Sequence, residues 1–130
     1  LKQAAPPLDL DHPIAVLLLT TLNFVPDDEE PVRLLADLVD ALAPGSCVTI
    51  AHSSYDFEAE GMREASAKLA KALKSAWVVR TYDDICRFFD GLDMVEPGLV
   101  PIDDWRPSDN APLPRSARPV PIFGGIGLKP

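Results

Sequence analysis

Residues Ile14-Ala15-Val16-Leu17-Leu18-Leu19 form an unbroken apolar run, with no alternation of polar and apolar side chains. A strand with one wet face alternates; a continuous run fits a strand buried on both faces, as in parallel sheets. No helix start signal precedes it, so the strand reading is preferred over a short buried helix. Such a strand needs a parallel neighbour, and a parallel neighbour needs a crossover.

The next residues supply one. Asn23 to Glu30 reads as a turn, in which Asp27 or Asp28 can cap a helix whose first turn takes Pro31. Leu34, Leu35, Leu38 and Leu42 recur on one face, and Pro44-Gly45 stops the helix. Cys47-Val48-Thr49-Ile50-Ala51 then reads as a second strand. Strand, helix and strand in this spacing make a right-handed βαβ unit.

Beyond it, His52 to Ala59 is a polar loop and Glu60 to Lys74 a helix with Met62, Ala65, Leu69 and Leu73 on one side. Trp77 to Arg80 is a short extended segment. Thr81 caps a further helix, with Asp84 completing a variant capping box, and Gly91 ends it. Met94 to Ile102 is extended, broken at Pro97-Gly98. Residues 106–121 are a proline-rich loop, and Ile122 to Leu128 is a last strand whose glycines admit close neighbours. Residues 1–13 are a polar lead-in. The pattern is α/β, with four strands and three helices in one domain spanning 1–130.

The formal charge of −8 and the acidic run Asp27-Asp28-Glu29-Glu30 leave no basic stripe for phosphates, which argues against nucleic acid and anionic membranes as partners. Ile14 to Leu19 is far too short to span a bilayer. Cys47 and Cys86 stand apart, in no metal or redox pattern, and fit buried thiols in a reducing compartment. A cytoplasmic location is expected. The first residue is Leu rather than Met, from which a chain beginning mid-protein is expected.

Several segments in order resemble one family. Leu10-Asp11 with the strand from Pro13, Leu22-Asn23-Phe24-Val25-Pro26-Asp27, and Leu42-Ala43-Pro44-Gly45-Ser46 leading to His52 are similar to consecutive segments of class I methyltransferases. So are Phe88-Phe89-Asp90-Gly91-Leu92, Val95-Glu96-Pro97-Gly98-Leu99-Val100, Trp105-Arg106-Pro107 and Gly127-Leu128-Lys129-Pro130. The set resembles the actinobacterial S-adenosyl methyltransferase family, from about Leu8 onward, in its C-terminal half only.

The resemblance implies a partial Rossmann-like sheet, strands four to seven of the order 3-2-1-4-5-7-6, with the last strand antiparallel. It implies S-adenosylmethionine as methyl donor, and an anchoring glycine-rich loop that has no counterpart in these residues. It also leaves Ile14–Leu19 as an open sheet edge, to be covered by a homodimer partner or by an N-terminal half. A non-catalytic, self-associating α/β module is the alternative.

Ligands bind at the carboxyl ends of parallel strands. The first strand ends in a loop that borders the cofactor in the resembled family. There Thr21 and Asn23 can hydrogen-bond the cofactor, Phe24 can pack on it, and Leu22 lies between them. The plainer reading is a turn with a buried Phe. The second strand ends at His52, a weak candidate for a base or substrate contact on its near-neutral titration, and otherwise a polar loop residue. Trp105 is a candidate substrate wall, or a cover for the sheet edge. Ser53, His52 and Asp56 lack a nucleophile elbow and do not read as a hydrolase. His12 and His52 are too isolated for a metal site.

Overall fold

The structure, a computed structural model, describes residues 9–57, 59–107 and 120–130. Most of the proline-rich loop of 106–121, and residues 1–8 of the lead-in, lie outside the described residues. A five-stranded mixed sheet organises the rest. Its strands are β1 (Ala15–Leu19), β2 (Cys47–Ser53), β3 (Asp93–Met94), β4 (Val100–Pro101) and β5 (Ile122–Leu128). β1 and β2 are parallel, with Leu17 opposite Thr49. β5 runs antiparallel on the far side of β2, and β3 and β4 both pair with its other edge.

The extended segment read over Met94 to Ile102 is thus two short strands. The physical cause lies between them: Pro97 has no N–H for a ladder, and Gly98 sits at φ 89°. The glycines of β5 admit close neighbours as expected. A Cβ on Gly127 would come within 2.8 Å of Leu92 Cβ, so only glycine lets the chain after α3 lie this close.

Among the described residues three α-helices flank the sheet: α1 (Pro31–Asp40), α2 (Ala59–Leu73) and α3 (Tyr82–Cys86). α1 starts at Pro31 as read, but neither Asp27 nor Asp28 caps it. Glu30 precedes it at φ 51° with no side-chain cap, and Asp27 is drawn off by Arg80. Its buried residues are Pro31 and Leu35, with Leu42 buried just beyond its end, while Leu34 is exposed. Lys129 closes its far end, donating from Nζ to the carbonyls of Val39, Asp40 and Leu42 at 3.0, 3.1 and 2.8 Å. At α3 the capping box forms as read: Thr81 Oγ1 accepts from Asp84 N at 3.2 Å, and Asp84 Oδ2 accepts from Thr81 N at 3.4 Å. α2 rides on the periphery, with Leu69 and Leu73 exposed rather than packed.

The core lies between the sheet and α1 and α3. Val48, Ile50 and His52 of β2 face Leu35, Ile85, Phe88 and Phe89 there. The expectation of a β1 buried on both faces is corrected. Val16 and Leu18 pack against this core, but Leu17 and Leu19 point the other way and are 61% and 55% exposed. Among the described residues β1 has no strand partner beyond β2, and both side chains of that face stay more than half exposed.

Candidate functional site

The carboxyl ends of β1 and β2 lie side by side, and the site is built there. Thr20 N donates to Ala51 O at 2.9 Å, the last contact before the chain turns. Thr20 then takes φ 59°, a costly left-handed conformation for a β-branched residue. One 3₁₀ turn, Thr21–Phe24, follows. It turns Leu22 and Asn23 inward, both buried, and leaves Thr21 and Phe24 facing solvent. The four residues singled out in the sequence thus divide into two presented and two supporting.

The supporting pair is tied to the segment before α3. Val78 N donates to Asn23 O at 2.7 Å, and Asn23 Nδ2 donates to Val78 O at 2.7 Å. Asn23 Oδ1 is a buried acceptor without a partner. Phe24 meets the edge of the Trp77 ring at 5.0 Å between centroids, which fixes the half-exposed ring.

Beneath the turn lies Arg80, which the sequence reading passed over. Its side chain is 5% exposed. Nε and Nη2 donate to Asp27 Oδ1 at 3.2 and 2.7 Å, and Nη2 also to Val25 O at 2.8 Å. Nη1 donates to Leu22 O at 3.0 Å and to His52 Nε2 at 2.9 Å. The signal in the sequence was a lone arginine closing the apolar stretch Trp77-Val78-Val79, immediately before a helix cap.

His52 is fully buried against Phe88. Its Nδ1 lies 2.8 Å from Ser53 O and must be the protonated nitrogen, so Nε2 is the acceptor for Arg80. Burial, with the Arg80 charge acting in the same direction, pushes its pKa down to about 4 against the pull of the Ser53 carbonyl. In this arrangement the ring is neutral and both nitrogens are engaged. Trp105 is half-buried on the opposite face of the sheet. It lines a cavity of about 240 Å³ with Leu19, Thr49, Ala51 and Gly124. The structure therefore brings His52 to the Thr21–Phe24 turn, through Arg80, and does not bring it to Trp105.

A larger cavity of about 860 Å³ opens between the start of α1 and α3, lined by Asp27, Arg33, Tyr55, Arg80, Arg87 and Phe88 among others. Among the described residues no cluster of metal-ligating side chains is present.

The model of one family, described as S-adenosyl methyltransferase, matches residues 1–130. The chain belongs to the S-adenosyl methyltransferase family. That match takes in the whole chain and corrects the reading of a C-terminal half only, which had been drawn from about Leu8.

Solved structures agree at the level of fold. A DUF574 family protein from Streptomyces avermitilis is 25% identical with a TM-score of 0.88, covering 99% of this chain and 50% of its own. A candidate methyltransferase from Thermobifida fusca is 28% identical with a TM-score of 0.77, covering 96% of this chain and 48% of its own. A SAM-dependent methyltransferase from Methanosarcina mazei, at 14% identity and a TM-score of 0.58 over 93% of this chain and 60% of its own, shares the fold. The chain spans about half the length of the first two relatives. No curated protein matches it. The mixed sheet with flanking helices is consistent with a Rossmann-like methyltransferase fold. No helix among the described residues is long and apolar enough to cross a membrane.

Proposed function

We propose that this family member takes part in methyl transfer from S-adenosylmethionine to an acceptor nucleophile by in-line displacement, with the Thr21–Phe24 turn bordering the cofactor. In this reading β1, β2 and β5 stand where class I methyltransferases carry strands four, five and seven, and β3 with β4 stands for strand six. The single observation that carries the site is the turn itself. It sits at the carboxyl end of a parallel strand and presents Thr21 and Phe24 to solvent.

The residue types suit the ligand in part. An exposed aromatic ring offers a stacking face and a threonine hydroxyl a hydrogen bond. Among the described residues no glycine-rich turn opens a helix, so this is one wall of a cofactor site. When bound, the cofactor supplies an activated methyl group on a sulfonium; the protein has only to place and orient it. Leu22 and Asn23 shape the turn from inside. His52 stands behind it as a neutral support, and Trp105 is a candidate acceptor contact on the other sheet face. The chain is read as cytoplasmic on its two free cysteines, Cys47 and Cys86.

Calorimetric titration of the chain with S-adenosylmethionine tests the reading. Weak binding, lowered further by Phe24→Ala, is expected from one wall. Sub-micromolar binding unaffected by that substitution contradicts it. The open β1 edge, with Leu17 and Leu19 exposed, favours a second reading: a non-catalytic module that self-associates through this strand. A stable dimer in sedimentation, indifferent to the cofactor, supports that reading instead.

A further inference from the structure

A buried arginine in the wall of a cavity ordinarily invites the role of anion binder. The hydrogen-bond inventory of Arg80 argues otherwise. A guanidinium has five N–H donors in a fixed fork. At Arg80 all are used: Nε on Asp27, Nη1 on Leu22 O and His52 Nε2, and Nη2 on Val25 O and Asp27. None is left for a ligand in the cavity of about 860 Å³ that its side chain helps to line.

The acceptors are not scattered. Leu22 O, Val25 O and the Asp27 carboxylate belong to the loop that leaves β1, while His52 belongs to the end of β2. The backbone of Arg80 is fastened to the end of β2 as well: its N donates to Ser53 O at 3.2 Å, and its O accepts from Tyr55 N at 3.2 Å. The residue therefore joins the carboxyl ends of two parallel strands, with its main chain on β2 and its fork on both the loop after β1 and His52 of β2. The reciprocal Asn23–Val78 pair, two residues earlier, ties the same turn to the segment that carries Arg80.

We propose that Arg80 is a positioning residue of the cofactor-bordering turn. Through Leu22 O, Val25 O and Asp27 it holds residues 22–27 in the geometry that presents Thr21 and Phe24, with His52 as its buried anchor. The inference rests on the functional reading above for what the turn contacts, and on the hydrogen bonds alone for what holds the turn. Lysine is a poor substitute, because one ammonium with three donors cannot bridge acceptors spread across the fork. Asp27 is 78% exposed, so its removal frees two donors without emptying the core.

The test uses the full chain and two variants, Arg80→Lys and Asp27→Ala, the second serving if the first does not fold. Amide exchange of residues 22–25 and the titration of the His52 ring are followed by NMR, together with the shifts at Thr21 and Phe24 on adding S-adenosylhomocysteine. Both variants are expected to keep protection in β2 and to exchange residues 22–25 roughly tenfold or more faster. Arg80→Lys is also expected to shift the His52 titration, and both to weaken the cofactor response by about tenfold. Unchanged exchange in 22–25 overturns the proposal, as does a loosened turn with an unaltered cofactor response. If the unsubstituted chain gives no cofactor response at all, the functional reading fails. The exchange and the His52 titration then decide the role of Arg80 alone: faster exchange with a shifted ring supports it, and no change overturns it.

Discussion

Arg80 Nη1 lies 2.9 Å from His52 Nε2, and both residues are buried. A cation donating to an imidazole requires that imidazole to be neutral. A dependence of stability on pH follows. The folded pKa of His52 is about 4, below its ordinary 6.5, so between these values the unfolded chain binds the extra proton. The contribution is therefore fully present above pH 6.5 and is lost as pH falls toward 4, by about 3 kcal/mol. Urea denaturation across this window measures it. The variant His52→Gln, whose amide oxygen can accept from Arg80 but does not titrate, should lose that slope.

The approach of Leu92 to β5 gives a second expectation. Gly127→Ala places a methyl group within 2.8 Å of Leu92 Cβ and Cδ1 and 3.3 Å of Phe89 Cδ1. Overpacking of this kind costs about 1–3 kcal/mol. The double variant with Leu92→Ala should recover part of that loss over the sum of the single variants in thermal denaturation. Additive losses would mean that the two residues do not press on one another.

Lys129 closes α1 by donating to three terminal carbonyls from a residue about ninety positions away in the chain. Lys129→Met keeps the apolar stem and removes the donors. A loss of about 1 kcal/mol is expected, with faster amide exchange in the last turn of α1. Equal stability of the two proteins contradicts the assignment.

The sequence made legible whatever was local. The apolar run at Ile14, the helix from Pro31, the strand at Cys47 and the Thr81–Asp84 box each follow from neighbouring residues, and each formed. Long-range competition was not legible. Asp27 read as a helix cap because it stands four residues before Pro31, yet Arg80, 53 residues on, takes its carboxylate. Leu17 and Leu19 read as buried because apolar runs usually are, but which face of an edge strand is covered depends on what packs there. For His52 and Trp105, strand parity puts His52 with Val48 and Ile50, whereas nothing local says that Trp105 settles over Thr49 and Ala51. The turn residues Thr21 to Phe24 were picked out as one group. Their division into outward and inward pairs came only with the 3₁₀ turn.

The proposed role of Thr21 and Phe24 as one wall of a cofactor site is open to an amide-shift titration of the chain with S-adenosylhomocysteine, which locates even weak binding residue by residue. Progressive shifts concentrated in residues 21–24, reduced by Phe24→Ala, are expected. Shifts confined to residues elsewhere, or none at any concentration, would contradict it.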